Sequence, residues 1–251
     1  MIASEKMPGE APVAAVIAAA GSSSRMGGLK KEYLPLGGAA RDGAGKPLSV
    51  LGAALLAFVA VRRIGMVVIS YPGEVPGGEA ALRASLPGGI PEKTAPEIRF
   101  VPGGPSRRAS VHRALAFLEP YCPEYVLIHD GARPWIEPDL IRGIIAAAEA
   151  HGAAIPLMPL TETPKETDGR GFILRHLKRA LTGTAQTPQG FAFPAILRAH
   201  EQAARREEAE GPVYTDDAEI WGEFCGPVAA IPGSPRNRKI TFPEDLEIPV
   251  R

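Results

Sequence analysis

Val13-Ala14-Ala15-Val16-Ile17-Ala18-Ala19-Ala20-Gly21-Ser22-Ser23-Ser24-Arg25-Met26-Gly27-Gly28-Leu29-Lys30-Lys31 is the stretch that decides how this chain reads. Residues 13–20 are apolar without a break and stop at a glycine, the pattern of a buried strand. From Gly21 onward the chain turns small, polar and basic. Small residues let the backbone close in on a ligand, and successive N–H groups can form an anion nest. Ser22, Ser23 and Ser24 add hydroxyls, while Arg25, Lys30 and Lys31 add positive charge. The loop suits a polyphosphate; the plainer reading is a flexible surface loop with solvated charges. It is not a Walker loop, because Met26 stands where the second glycine is required, and it lacks the G-x-G-x-x-G fingerprint.

Outward from this loop the chain alternates short apolar runs with amphipathic stretches. Strands are expected at residues 66–70, 98–101, 125–129, 153–160 and 228–231, and helices at 48–63, 106–119, 139–151, 192–209 and 215–224. Such alternation means βαβ units: an α/β, Rossmann-like architecture with a mostly parallel sheet and helices on both faces. Ligands then bind outside the carboxyl ends of the strands. Residues 21–31, 103–110 and 130–133 are expected to converge there. Residues 161–187 break the pattern. They are polar, turn at Asp168-Gly169, and carry Phe172-Ile173-Leu174, which reads as a hairpin-like arm. An isolated hairpin is marginal in water, so the arm is expected to pack on a second copy of the chain.

The strand-end segments carry the candidate chemistry. In His129-Asp130-Gly131-Ala132-Arg133-Pro134, Asp130 can bind a hydroxyl or a metal ion. Arg133 can reach a phosphate, or the two can form a structural pair. His129 reads as a half-buried strand-end residue rather than a base. In Gly103-Gly104-Pro105-Ser106-Arg107-Arg108-Ala109-Ser110, two glycines permit close approach to a flat base. Arg107 and Ser110 fall near a helix N-terminus, and Ser106 suits the cap. Thr163-Pro164-Lys165, Arg179, Gln186-Thr187-Pro188-Gln189, Thr215-Asp216-Asp217-Ala218 and Asn237-Arg238-Lys239 are polar clusters near element ends, of little weight alone.

Composition sets the outer bounds. The 251 residues hold 28 Lys plus Arg against 28 Asp plus Glu, so no basic excess exists to coat nucleic acid or an anionic membrane. Hydrophobic residues at 45% and charged residues at 22% are globular composition. Glycine (28) and proline (26) are abundant but aperiodic, which means many short loops. Cys122 and Cys225 form no metal or disulfide pattern and are expected to be buried small side chains. No apolar run reaches membrane-spanning length, and residues 1–12 lack an apolar signal core, so the expected compartment is the cytoplasm.

Taken in order, A-A-G-S-S-S-R-M-G, K-E-Y-L, G-G-P-S-R-R-A-S-V, H-D-G-A-R-P, T-P-K, A-Q-T-P-Q-G-F, T-D-D-A and N-R-K-I-T-F-P-E-D-L resemble the 2-C-methyl-D-erythritol 4-phosphate cytidylyltransferase family. The resemblance covers residues 13–248. It implies a single nucleotidyltransferase domain over residues 1–251, dimerising through the arm. CTP and methylerythritol phosphate would give diphosphocytidyl methylerythritol and pyrophosphate, with Mg²⁺ carried mainly by the CTP phosphates. It implies catalytic roles for Arg25 and Lys31, with Lys30 as the rival of Lys31. Substrate contacts are implied for Arg179, Lys239, Thr163, Thr187, Asp130 and Arg133. Nucleotide contacts are implied for Ala19, Ala20, Gly21, Gly104, Arg107 and Ser110. No protein metal ligand is implied.

The resemblance has rivals. The ribitol-5-phosphate cytidylyltransferase family shares the loop, the H-D-x-x-R-P segment and Q-T-P-Q. The T-D-D-A segment and the Gln189-Gly190-Phe191 continuation favour methylerythritol phosphate. A non-catalytic nucleotide-binding module would be expected to lose Arg25 or Lys31, and both are present. The chain departs from the family pattern at Ser23, Ser24, Pro105, Leu29-Lys30 and Arg238, and residues 37–46 read as a small inserted surface loop.

Overall fold

In the computed structural model the described residues are 13–246, apart from 22, 24, 25, 27, 28, 38–40, 44, 91–95, 212 and 213. The strands are β1 (Val13–Ala18), β2 (Ile64–Tyr71), β3 (Glu97–Pro102), β4 (Tyr125–Asp130), β5 (Ala153–Pro159), β6 (Lys165–Thr167), β7 (Ile173–His176), β8 (Gly183–Ala185), β9 (Gln189–Ala192) and β10 (Ala229–Pro232). The helices are α1 (Val50–Val59), α2 (Gly78–Ser85), α3 (Arg107–Leu118), α4 (Pro138–His151), α5 (Phe193–Glu210) and α6 (Asp217–Phe224).

One sheet runs in the order β10-β5-β9-β4-β1-β2-β3, with β8 pairing β5. The pairs β1–β2, β1–β4, β2–β3 and β5–β10 are parallel, while β9 enters antiparallel between β4 and β5. The apolar run of β1 is buried on both faces because side chains alternate across a strand. Ala14 and Val16 pack with Val111, Leu115 and Ile196 of α3 and α5. Val13, Ala15 and Ile17 pack with Leu51, Leu55 and Phe58 of α1 and Ile141 of α4. The sheet is therefore a middle layer between α3, α5 and α6 on one side and α1, α2 and α4 on the other.

The expected alternation is present, with three additions; one is β8, which lies within the residues expected for the arm but pairs antiparallel with β5 of the main sheet. β9 is only four residues, and Gly190 lies where a Cβ would sit 2.7 Å from Ile144 of α4, so glycine lets that helix close on the sheet. α2 buries just Gly78 and Leu82, too narrow an apolar stripe to read from sequence. Ser49 caps α1 by accepting from the Gly52 amide at 2.8 Å, so this helix starts two residues later than expected. The inserted loop is closed by bridges Pro35–Ser49 and Arg41–Pro47; its residues 38–40 and 44 lie outside the described ones. Cys122 and Cys225 are exposed, contrary to the expected burial. Both follow helix ends, where the chain turns at the surface: Cys122 has φ 47° after a short 3-10 turn, and Cys225 is the C-cap of α6.

β6 and β7 form the expected hairpin. Its apolar residues find no cover among the described residues: Phe172, Ile173 and Leu174 are 70%, 52% and 59% exposed, and Leu181 just after is 82% exposed. Among the described residues no helix is long and apolar enough to cross a membrane.

Candidate active site

The carboxyl ends of β1, β2, β3 and β4 meet at two adjoining cavities. The larger, about 560 Å³, is walled by Ala20, Gly21, the turn at residues 72–78 after β2, and residues 103–107 after β3. The smaller, about 250 Å³, is lined by Lys31, Glu32, Arg107, Asp130, Lys239 and Thr241 among others. Ala20, Gly21, Arg107 and Ser110 face both. The three strand-end segments do converge.

Their approach is close. A Cβ on Gly103 would sit 2.2 Å from Cβ of Ala20 and 2.9 Å from the Ser110 hydroxyl, so only glycine lets the β3 turn pass the end of β1. The end of β1 is pinned from both sides. Ala19 N donates to Ser70 Oγ at 3.2 Å, and Gly131 N donates to Ala18 O at 2.9 Å. Ser106 caps α3 as expected, accepting from Ala109 N at 3.1 Å. Ser110 Oγ accepts from Gly104 N at 3.0 Å, which holds the double-glycine turn against the helix.

Charge is concentrated around Asp130. Its Oδ1 accepts from Arg107 Nε at 3.1 Å and its Oδ2 from Lys239 Nζ at 2.8 Å, with Arg133 Nε 3.7 Å away. Burial opposes the charge, but Arg107 and Lys239 outweigh it and hold the carboxyl far below the ordinary carboxylate range. Arg107 is correspondingly held protonated: burial opposes its charge, and the Asp217 and Asp130 carboxylates outweigh that. Lys31, 7% exposed, reaches into the smaller cavity and donates to Ile240 O at 2.8 Å. Lys30 lines the larger cavity, donating to Gly21 O and lying 3.3 Å from Glu32. The adjacent lysines thus face adjacent chambers.

Under this floor lies a buried layer. Asp130 N donates to Thr187 Oγ1 at 3.0 Å, which leaves the hydroxyl proton for His129 Nδ1 at 3.1 Å. The imidazole then carries its proton on Nε2, which faces the Arg133 carbonyl at 3.2 Å. His129 is fully buried, not half-buried as expected, and burial pushes it down to about 4. It is neutral and lines neither cavity. Arg133 Nη1 and Gln186 Nε2 both donate to Asn237 O, at 2.8 and 3.3 Å, and Asn237 Nδ2 donates to Thr187 O at 2.7 Å. This network ties the segment that carries Lys239 to the end of β4. Arg238, a departure from the pattern, lies 5.3 Å from the Trp135 ring.

Of the sequence-predicted residues, Ala20, Gly21, Lys31, Gly104, Arg107, Ser110, Asp130 and Lys239 line the cavities. Ala19 is buried beside them, and Thr187 and Arg133 lie below as supports rather than lining residues. Thr163 and Arg179 are exposed on the arm and line neither cavity; Arg179 Nη1 donates to Thr161 O at 2.9 Å. Arg25 lies outside the described residues. Sequence reading missed Glu32, Thr241 and the turn at residues 72–78. The last was detectable, since Pro72-Gly73 ends β2, the strand beside β1.

Residues 13–249 match the model of the family described as IspD, 2-C-methyl-D-erythritol 4-phosphate cytidylyltransferase. The chain belongs to that family. A 2-C-methyl-D-erythritol 4-phosphate cytidylyltransferase of Pelotomaculum thermopropionicum is 38% identical over 94% of this chain and 92% of its own. A bifunctional IspD/IspF enzyme of Bradyrhizobium is 40% identical over 93% of this chain, which spans 54% of that enzyme. The 4-diphosphocytidyl-2C-methyl-D-erythritol synthase of Anaerococcus prevotii has a similar structure, with TM-score 0.75, 28% identity and 93% and 92% of the two chains covered. The cytidylyltransferase of Thermus thermophilus has TM-score 0.66 and 30% identity, covering 93% and 95%. The mixed sheet flanked by helices is thus that of the cytidylyltransferase family. The cavities lie where this fold's strand ends meet.

Proposed function

We propose that this chain transfers the cytidylyl group of CTP to 2-C-methyl-D-erythritol 4-phosphate, giving 4-diphosphocytidyl-2-C-methyl-D-erythritol and pyrophosphate in non-mevalonate isoprenoid biosynthesis. The observation that carries the reading, beside family membership, is the pair of chambers joined at Arg107. The larger has the small-residue walls a base and ribose need. The smaller gathers Lys31, Arg107 and Lys239.

The chemistry suits those residues. A phosphate oxygen of the acceptor attacks the α-phosphorus of CTP, and the bond to the bridging oxygen of the β-phosphate breaks as pyrophosphate leaves. The attacking phosphate is already ionised, so no general base is needed, and buried neutral His129 is not asked to be one. The task is to align two polyanions and stabilise added charge on the α-phosphate. Lys31, with Arg25, takes the latter role, since cations aimed at the charge that develops on the α-phosphate stabilise the transition state.

A magnesium ion, in this reading, arrives on the triphosphate. Asp130 is already engaged by three cations, and Glu32 faces Lys30. Among the described residues no group of three His, Cys, Asp or Glu could hold a metal ion. The described residues do not build a cage of their own.

Arg179 and Thr163 sit on the arm, whose apolar face is uncovered among the described residues. Pairing of two chains through the arm would cover that face, and from there Arg179 would hold the acceptor phosphate.

The test is pyrophosphate release with CTP and a panel of acceptors. Turnover is expected with methylerythritol phosphate and at least tenfold less with ribitol 5-phosphate. Preference for ribitol 5-phosphate, or CTP binding without turnover on any acceptor, overturns the reading. Light scattering on the same preparation is expected to give the mass of two chains; the mass of one ends the pairing proposal.

A further inference from the structure

Asp217 is fully buried and lines neither cavity, yet it is joined to Arg107, the charged residue among the four that line both. It is the first residue of α6, and its Oδ2 accepts from Arg107 Nη2 at 2.9 Å. Its Oδ1 lies 3.2 Å from His200 Nε2 of α5, at ion-pair distance but without hydrogen-bond alignment. His200 is itself fully buried, and its ring stacks on His112 at 6.2 Å. Burial opposes the Asp217 charge, and Arg107 and His200 outweigh it and hold the carboxyl below the ordinary range.

The neighbouring carboxylate has a different task. Asp216 caps α6, accepting from Glu219 N at 2.9 Å, and also accepts from Gln189 Nε2 at 2.8 Å. Gln189 Oε1 in turn accepts from Ala218 N at 3.0 Å. These bonds fix the first turn of α6 to β9, which fixes Asp217 with it. A buried carboxylate is costly unless it is paired, so the Asp217–Arg107 contact is the reason its charge is tolerated.

Arginine has a long side chain with many rotamers, and one tether leaves its plane free to turn. Asp130 holds Nε and Asp217 holds Nη2, from two different elements. Two tethers define the plane, and neither takes Nη1. We propose that Asp217, backed by His200, is a positioning residue that fixes the Arg107 guanidinium so that its Nη1 edge meets the phosphates of the bound nucleotide.

This rests on the CTP reading, so CTP binding to the unaltered protein is measured first by calorimetry; no binding there defeats that reading rather than this one. Asp217→Asn is then expected to weaken CTP five- to tenfold while the KM for the acceptor stays within twofold. In an Arg107→Ala background the same change is expected to add less than twofold, because the residue it positions is gone. If Asp217→Asn does not fold, His200→Asn serves, with an expected weakening of about threefold that also disappears in the Arg107→Ala background. Unchanged CTP affinity in the substituted protein, or equal losses with and without Arg107, overturns the proposal.

Discussion

The crevice and the arm use the same kinds of residue and treat them in opposite ways. In the crevice Arg107, Lys239 and Asp130 are held by one another across β4, α3 and the C-terminal segment, with Asp130 8% exposed. On the arm Arg179 is exposed and donates to a backbone carbonyl, and Leu181 stands 82% in solvent. Among the described residues of the crevice, the charges of Asp130, Arg107 and Lys239 already have partners in one another. Among the described residues the arm has an exposed apolar face and a cation outside both cavities. Removing a residue from the prebuilt crevice is costly, because its partners are left buried and charged. An arm residue is surrounded by water, so its removal should affect one contact and little else.

The largest effect should come from the crevice. Lys31→Ala is expected to lower kcat by about 10²–10³-fold, the usual loss on removing one donor aimed at developing charge. Steady-state kinetics with CTP and the acceptor checks it. An unchanged kcat would remove Lys31 from the chemistry and with it the claim that the crevice is prebuilt for the reaction.

Next comes the layer beneath. His129 is held down at about 4 in the fold against an ordinary 6.5, so the unfolded chain takes up a proton first as pH falls. Stability should therefore drop between about pH 6.5 and about 4, by on the order of 3 kcal/mol from this residue. Denaturant titrations of the unaltered protein and of His129→Gln, across that range, isolate the slope. Equal slopes would mean that the floor of the crevice is open to water.

The smallest effect should come from the arm. Arg179→Ala is expected to raise KM for the acceptor about tenfold, or about 1.4 kcal/mol, while KM for CTP and the Tm hold steady. Equal changes in both KM values would place Arg179 among the crevice residues after all and erase the contrast between the two regions.

Local signals were legible where one element suffices to generate them. The unbroken apolar run before Gly21 predicts β1 because the side chains from Val13 to Ile17 are all buried, on one face or the other. Ser106 predicts its own cap because the acceptor and the Ala109 amide are three residues apart. β9 and α2 were not legible: four residues of β9 show no period, and α2 buries a single leucine. The exposure of Cys122 and Cys225 was also hidden, since a cysteine's usual preference for the interior says nothing about which helix end turns at the surface.

By itself, then, the sequence determined the layered α/β plan, the glycine-rich strand ends that would bind, and the supply of cations for a polyanion. Only the tertiary structure decided which charges meet. Lys239 finds Asp130 across 109 residues, and Arg107 finds Asp217 across 110. It also decided that Arg133 and Thr187 support the site rather than line it, and that Asp216 and Asp217, adjacent in sequence, serve a helix cap and a guanidinium. The physical reason is that periodicity reports the faces of a single element, whereas pairing depends on strand order. Strand order is settled by the packing of the whole sheet, which leaves no mark on any short stretch of chain.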